Sequence, residues 1–218
     1  MKRTPFAAIS LLALIMASRA AALEIIAPAD GSSVADGKVI IIGLAPRAES
    51  GKVEFSGQTT SFKVKDGSFS LAVSLPPGPN TLTVTTGSEK IPLKIDVAGP
   101  AAKNLYKYHP DVSMEKCKSC HDAGKRLSRN DSVADVCVRC HKTEEKQYAH
   151  GPFAMGLCTA CHDPHGSANG KDLRLAPLEL CNDCHNQPVT EKHRKIAGDD
   201  ICTDCHNPHS SAKQFMVR

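Results

Sequence analysis

The sequence has no tryptophan, only three tyrosines and six phenylalanines in 218 residues, and no cysteine before Cys117. A soluble enzyme of this length usually fills its core with more aromatic side chains, so we do not expect one large conventional catalytic domain. The formal charge of +4 falls to about +1 without the three basic residues among the first 22. A nucleic-acid-binding chain normally carries a larger basic excess, so no nucleic-acid partner is expected.

The first 22 residues combine basic residues near the start, an apolar run from Phe6 to Ala17 and several small residues after it. This order predicts a signal peptide over residues 1–22, cleaved after about residues 20–22. The alternative is a membrane anchor, but an apolar run of about 12 residues is shorter than the about 20 that a bilayer requires. We therefore expect an exported protein in the periplasm or at the outer surface, with no transmembrane segment in its mature chain.

The composition of the chain changes near Gly99. Residues 24–99 contain 22 Leu, Ile, Val or Phe side chains and neither Cys nor His, whereas residues 101–218 contain only 17 and hold every Cys and His. So low an apolar content ordinarily indicates disorder, unless something other than side chains fills the interior. The change predicts a first domain over residues 23–99 and a second over residues 100–218.

The first domain has the pattern of short strands. Val39–Leu44 is a continuous apolar run, and Phe69–Leu75 alternates apolar with polar residues, as half-buried strands do. Asp-Gly and Ser-Gly pairs and a turn over Pro76–Asn80 separate about seven such segments, which predicts an all-β antiparallel sandwich. The stretches Ile25–Val34 and Leu75–Val84 resemble parts of bacterial immunoglobulin-like modules, and this resemblance implies an immunoglobulin-like sandwich.

Every cysteine of the second domain lies in a Cys-x-x-Cys-His motif, and the motif occurs five times. This is the attachment motif of c-type haem, in which two thiols form thioethers with one porphyrin edge and the following imidazole is the proximal iron ligand. Zinc ribbons and disulfides are the alternatives, but neither requires a histidine after the second cysteine. We expect five covalent haem c groups. The cysteines are Cys117, Cys120, Cys137, Cys140, Cys158, Cys161, Cys181, Cys184, Cys202 and Cys205, and the proximal histidines are His121, His141, His162, His185 and His206.

Five further histidines remain, one for each motif, and they are the candidate distal ligands: His109, His150, His165, His193 and His209. With one spare imidazole per iron, the number of histidines matches bis-histidine coordination throughout. Methionine is the competing distal ligand. The mature chain offers only Met114, Met155 and Met216, which are too few for five irons, and we interpret them as packing residues.

The motifs repeat with an offset of 44 residues, which relates Cys137 to Cys181, Cys158 to Cys202 and Pro164 to Pro208. The repeat defines two modules over residues 137–167 and 181–211, preceded by a half-module over residues 109–124. The half-module departs from the pattern, because Gly124 stands where the modules have the histidine that follows Cys-His-x-Pro. Its cofactor environment is therefore the least certain of the five.

Residues 137–211 resemble the doubled CXXCH motif family of multihaem c-type cytochromes, most closely in HGPFAMGLCTACHDPHGS (His150–Ser167). The resemblance implies an exported electron-transfer protein of respiratory bacteria, with a mostly irregular, short-helix domain organised around haems. It also implies that His165 and His209 are distal ligands. Because Pro164 and Pro208 disfavour a helical continuation from the proximal histidine, we predict that both serve the iron of a neighbouring haem.

Three functions agree with this pattern. The leading hypothesis is a pentahaem electron carrier that is not an enzyme and exchanges electrons with other cytochromes, quinol-oxidising complexes or outer-surface complexes. A second is a multihaem reductase of a small oxyanion, which needs one five-coordinate iron. A third is a subunit of a homopolymer, which is attractive if His109 or His209 has no partner within its own chain.

Overall fold

The structure is a computed structural model that describes residues 22–113, 116–121, 133–143, 146–185, 190–197 and 202–218. The expected signal peptide lies outside the described residues except for Ala22, and so do Met114 and Gly124. The described chain has a sheet-rich N-terminal part, followed by a part with short helices, two-residue strands and irregular segments.

Eight strands form the N-terminal part, one more than the sequence pattern predicts. Their bounds are β1 Glu24–Ala27, β2 Ser32–Val34, β3 Lys38–Leu44, β4 Ser50–Phe55, β5 Gln58–Lys63, β6 Ser68–Ser74, β7 Gly78–Thr86 and β8 Glu89–Val97. One sheet has the order β1-β3-β6, and the other has the order β2-β8-β7-β4-β5. All pairs are antiparallel except β2 with β8, which are parallel.

The two sheets share one hydrophobic core. Val39 and Ile41 of β3 are at most 1% exposed, while Ile40 and Ile42 between them are half-buried. Leu82 of β7 is fully buried and stands opposite Leu93 of β8. Because side chains alternate between the faces of a strand, every second residue enters the core, which is the pattern that the sequence predicts for β6 to β8.

Tight turns connect the strands where the sequence has Ser-Gly and Asp-Gly pairs. Ser56 and Gly57 both have positive φ between the paired strands β4 and β5, which is the geometry of the turns that suit the twist of a hairpin. The predicted turn over Pro76–Asn80 is shorter than expected, because β7 already begins at Gly78. The Asn80 amide donates to the carbonyls of Pro76 and Gly78 at 2.9 and 2.8 Å, which closes the turn from within the strand.

The segment after the last strand continues to pack on the N-terminal part. Tyr106 is 8% exposed and belongs to the hydrophobic core, and its N–H donates to the carbonyl of Ser33 at 2.7 Å. The Tyr108 hydroxyl accepts from the N–H of Ile40 and donates to the Ile40 carbonyl, each at 2.9 Å. The two tyrosines therefore attach the C-terminal part to the sheets.

Short elements make up the described C-terminal part. The helices are α1 Val133–Cys137, α2 Gly151–Ala154, α3 Pro177–Asn182, α4 Glu191–Ala197 and α5 Cys202–Cys205, and the strands are β9 Lys107–Tyr108, β10 Tyr148–Ala149, β11 Gly166–Ser167 and β12 Ser210–Ser211. Strand β9 pairs with β11 and β10 pairs with β12, both antiparallel. Within the described ranges, no helix has the length and apolar character needed to cross a membrane.

Candidate functional site

Each Cys-x-x-Cys-His motif folds into a single helical turn. In all five motifs the N–H of the histidine donates to the carbonyl of the first cysteine at 2.9 to 3.0 Å. Residues three and four positions apart lie on the same side of such a turn. The turn therefore presents both thiols and the imidazole in one direction, as attachment to one porphyrin requires.

All ten histidines lie in the described residues, and they form five ring pairs. Each pair joins one motif histidine to one of the remaining five, with ring centroids 5.9 to 6.0 Å apart. We number the pairs by motif, and pocket 1 to pocket 5 denotes each motif together with its pair. The pairs are His121–His165, His141–His109, His162–His209, His185–His150 and His206–His193.

The spacing of the rings fits a metal ion between them. Two metal–nitrogen bonds of about 2 Å each, with about 1 Å from each nitrogen to its ring centre, separate two ring centres by about 6 Å. The donor set, two imidazoles beside a pair of thiols, is the one that haem c requires.

In two of the motif histidines, a hydrogen bond to a backbone carbonyl determines which ring nitrogen is left free to bind a metal. The Nδ1 of His162 donates to the carbonyl of Lys171, and the Nδ1 of His206 donates to the carbonyl of Phe215, both at 2.8 Å. A carbonyl can only accept, so Nδ1 carries the proton and Nε2 keeps its lone pair. Such a hydrogen bond orients a metal-binding imidazole and increases its basicity.

Both accepting carbonyls belong to residues with left-handed backbones. Lys171 has φ 63° and Phe215 has φ 59°. Each conformation turns the chain back, so that Leu173 bridges to His162 and Val217 bridges to His206. The same loop thus follows the third and the fifth motif, although its residues differ.

The two small sheets hold the other histidines. Strand β9 leads into His109, whose N–H donates to the carbonyl of His165 at 3.2 Å, and β10 leads into His150, whose N–H donates to the carbonyl of His209 at 2.8 Å. Gly166 has φ 132°, and a Cβ atom there would lie 2.2 Å from the carbonyl oxygen of Lys107. The close approach of β9 and β11 therefore requires a glycine.

Thiols of successive motifs lie close together. The Cys137 thiol forms a side-chain hydrogen bond with Cys158, and the Cys181 thiol forms one with Cys202. Burial, and then these neighbouring thiols, raises the pKa of Cys137 and that of Cys181. All ten cysteines are free thiols in the structure, and the contacts place motif 2 beside motif 3 and motif 4 beside motif 5.

Burial also acts on the imidazoles. It lowers the pKa of His121, with a smaller contribution from His165, and it lowers the pKa of His209, with smaller contributions from His162 and His150. Burial favours the neutral form of a histidine, and the neutral form is the one that binds a metal.

The C-terminal part exposes large apolar side chains. Ile196 is 74% exposed and Leu178 is 58% exposed, and all nine of the large hydrophobic residues identified as exposed lie between Val133 and Val217. A porphyrin has broad apolar faces that such side chains can cover. The ring spacing, the donor set and this exposed apolar surface therefore all fit haem.

The sequence identified the cysteines and histidines of these pockets, and it missed the residues that orient them. Met155 is 67% exposed and belongs to no buried core within the described residues, so the packing role expected for it stays a prediction. The missed positions include the carbonyls of Lys171 and Phe215. The 44-residue offset could have found them, since it also relates Ser167 to Ser211 and Arg174 to Arg218, all of which follow the motifs.

The family model of the doubled CXXCH motif matches residues 150–190 and 193–218. These segments contain motifs 3 to 5, four of the five non-motif histidines and the loop that follows the third motif. Residues 150–190 and 193–218, which are less than half of the chain, thus match the doubled CXXCH motif family, and this match together with the two cytochrome relatives supports binding of haem c.

Two relatives are themselves cytochromes by name. The chain is 32% identical over 103 residues to the multiheme cytochrome MtrA of Shewanella baltica (strain OS185), an alignment that covers 38% of this chain and 31% of MtrA. It is 29% identical over 100 residues to the acrylate reductase cytochrome subunit of Shewanella woodyi (strain ATCC 51908 / MS32), covering 40% of this chain and 77% of that subunit. The chain thus spans about a third of the length of MtrA.

Proposed function

We propose that this protein is an exported pentahaem c-type cytochrome that carries electrons between redox partners and transforms no substrate. The observation that carries the proposal is the set of five imidazole pairs, which uses every histidine of the chain once. Each motif would bind one haem through two thioethers. His121, His141, His162, His185 and His206 would be the proximal ligands, with His165, His109, His209, His150 and His193 as their respective distal ligands.

In this proposal, the residues of the chain bind the haem and orient the imidazoles that hold it. Bound haem c supplies reversible one-electron exchange at iron. Two imidazoles in each pocket would hold the haem iron, and the carbonyls of Lys171 and Phe215 orient two of these imidazoles. The pockets would then offer no open position for a substrate, which supports electron transfer rather than catalysis at the metal.

The short distances between pockets support the transfer of electrons from one haem to the next. Only two residues separate His162 of pocket 3 from His165 of pocket 1, and the same spacing relates His206 of pocket 5 to His209 of pocket 3. Three steps along an extended chain span about 10 Å at most. The thiol contacts between motifs 2 and 3 and between motifs 4 and 5 join further pockets.

The hypothesis of an exported electron carrier also implies a cellular location and a class of partners. The leader pattern over residues 1–22 supports export to the periplasm or outer surface. We propose other redox proteins as partners. We also propose an immunoglobulin-like fold for the two-sheet N-terminal part, whose parallel pairing of β2 with β8 fits a sandwich with a switched edge strand.

The alternatives receive less support from the described residues. A reductase needs one motif histidine without a second imidazole, yet each of the five has one within 6.0 Å. A polymer that shares ligands needs His109 or His209 to be unpaired within its own chain. Instead, they lie beside His141 and His162 of the same chain.

Whole-protein mass spectrometry and low-temperature EPR test the proposal. We expect five covalent haems and only low-spin iron in the oxidised protein, because every iron has two imidazole ligands. His165→Ala and His209→Ala should each convert one of the five irons to a high-spin form that binds cyanide rapidly. Met155→Ala, which removes the exposed methionine, is the matched control and should leave all five low-spin.

Fewer than five haems would contradict the proposed number. A high-spin iron in the wild-type protein would contradict the ligand set and favour the reductase. If His165→Ala left every iron low-spin, the pairing of His165 with His121 would be wrong.

A further inference from the structure

We propose that Asp163 lowers the reduction potential of the haem in pocket 1 by holding a carboxylate beside the distal imidazole of His165, an effect that the equivalent Asn207 does not have in pocket 3. The inference rests on the proposed function, because it takes His165 as the distal ligand of pocket 1. Asp163 is a positioning residue that acts through this imidazole and does not touch the iron.

The carboxylate makes two contacts with the same residue. Asp163 Oδ1 accepts the backbone N–H of His165 at 2.9 Å, and it lies 3.7 Å from the His165 Nδ1. The backbone hydrogen bond holds the carboxylate in place, and the longer contact is electrostatic, since it exceeds hydrogen-bond length. The side chains are 34% and 19% exposed, respectively, so water screens this interaction only in part.

The second copy of the motif has the same geometry without the charge. At the equivalent position, Asn207 Oδ1 accepts the backbone N–H of His209 at 3.1 Å. The Asn207 amide therefore makes the same backbone hydrogen bond as the Asp163 carboxylate, but it carries no charge. Besides the His162 ring of the same pocket, the aromatic ring of Phe153 lies beside the His209 ring, with centroids 5.1 Å apart. One distal imidazole thus has an anionic neighbour, and the other has a neutral amide and an apolar ring.

The surrounding loops match closely. The N–H of Asp163 donates to the carbonyl of Asp172 at 2.7 Å, and the N–H of Asn207 donates to the carbonyl of Met216 at 2.7 Å. Both loops end in an arginine whose N–H donates at 2.9 Å to the second cysteine of its motif, namely Arg174 to Cys161 and Arg218 to Cys205. Because both loops have this arginine, the arginines do not cancel the difference in charge between Asp163 and Asn207.

The direction of the effect follows from the charge of the metal. Oxidation adds one positive charge to the iron, and a carboxylate nearby stabilises the more positive state. A carboxylate beside Nδ1 also makes the imidazole a stronger donor to the metal. Both effects favour the ferric form, and hydrogen bonding and charge around the ligands are established means of setting haem potentials. Pocket 1 should therefore be harder to reduce than it would be with Asn at position 163.

EPR-monitored redox titration of the whole holoprotein tests the inference. The signal of pocket 1 is the low-spin signal lost in His165→Ala, and the signal of pocket 3 is the one lost in His209→Ala. Asp163→Asn should raise the potential of pocket 1, so that the ratio of reduced to oxidised iron at a fixed applied potential increases about threefold to fivefold, as for a partly screened charge pair. The reciprocal Asn207→Asp should lower the potential of pocket 3 by a similar factor.

Asp172→Asn is the control for loss of a charge in the same loop. Residue 172 has φ 53°, which asparagine adopts readily, and no contact between its carboxylate and His165 is recorded in the described structure. This variant should change the ratio in pocket 1 by less than twofold. A shift in Asp163→Asn no larger than that in Asp172→Asn would overturn the inference.

The reciprocal variant keeps the inference testable if Asp163→Asn loses the low-spin signal of pocket 1. In that case Asn207→Asp decides, and an unchanged potential in pocket 3 would overturn the proposal. Failure of the proposed function has a different signature, because His165→Ala would then leave all irons low-spin before any potential is compared.

Discussion

The two parts of the molecule fold by different means. Among the described residues, the 18 buried hydrophobic side chains all lie between Leu23 and Tyr106, whereas the nine large exposed hydrophobic side chains all lie between Val133 and Val217. In the N-terminal part, side chains from two sheets bury one another. In the C-terminal part, turns and hydrogen-bonded loops bring cysteines and histidines together around a cofactor.

The difference shows where each part obtains its stability. Burial of aliphatic side chains stabilises the sheets, at about 1.5 to 3 kcal/mol for each large side chain. The few buried residues described beyond Tyr106 include Ser167, Ser210 and Ser211, whose backbones lie in the two-residue strands. We therefore expect such a region to depend on its cofactor, much as small zinc domains depend on their metal.

The largest expected effect comes from preventing haem attachment. A variant with both cysteines of all five motifs changed to alanine should lose protection from proteolysis throughout residues 107–218. The fragment from Leu23 to Tyr106 should resist the protease, because its core contains no haem ligand. Mass spectrometry of the fragments against the wild-type holoprotein gives the measurement.

The control for this experiment is the wild-type protein carrying all its haems, digested under the same conditions. Resistance of residues 107–218 in the cysteine-free variant would contradict the comparison, since it would mean that side chains alone hold this region.

A smaller effect is expected from opening a cavity in the sheets. Leu82→Ala removes a fully buried side chain and should lower the free energy of unfolding of the N-terminal part by about 2 to 5 kcal/mol. The haem absorption and EPR spectra should be unchanged. Ile196→Ala, at a side chain that is 74% exposed, is the matched control and should leave that unfolding transition within about 0.5 kcal/mol of wild type.

Thermal unfolding followed by far-UV circular dichroism measures both variants. A change in haem spin state in Leu82→Ala would show that the two parts are not energetically separate, and it would contradict the comparison.

The smallest effect concerns the attachment of one part to the other. Tyr108→Phe removes the hydroxyl that satisfies both backbone groups of Ile40, and it should cost about 1 to 3 kcal/mol. Burial raises the pKa of Tyr108 to about 12, although the hydrogen bond from Ile40 lowers it. A raised tyrosine pKa means that this contribution is complete below pH 10 and decreases as the pH rises from 10 towards 12.

The measurement is chemical denaturation of both proteins between pH 8 and pH 12. The wild type should lose stability faster than Tyr108→Phe above about pH 10. Parallel curves for the two proteins would show that ionisation of Tyr108 does not contribute.

The sequence predicted elements best where the pattern is local. Alternation in Phe69–Leu75 predicted β6, and the Ser56-Gly57 pair predicted a hairpin turn. The start of β7 was placed too late, because Asn80 closes the turn from inside the strand and no local signal shows this. The buried position of Tyr106 was also not foreseen, since it depends on a contact with Ser33 that is distant in sequence.

In the candidate site, too, the sequence predicted the features that have a local signal and not those that depend on distant contacts. Spacing and residue counts identified the motifs and the spare histidines. The resemblance to the doubled CXXCH family implied that His165 and His209 are distal ligands, the prolines before them pointed to a neighbouring pocket, and the structure brings these two rings to His121 and His162. Their ligation of iron stays a prediction. Which histidine meets which motif could not be read from the sequence, because it depends on the pairing of β9 with β11 and of β10 with β12.

The ring pairs also determine how the repeat can be divided. In the module over residues 137–167, all four imidazoles have their partners outside the module, at His109, His121, His185 and His209. This copy, if excised, would therefore complete none of its own imidazole pairs, whereas the copy over residues 181–211 would keep the pair of His193 with His206. Lengthening such a chain by gene duplication must preserve the junctions between consecutive copies, since four of the five ring pairs join different copies.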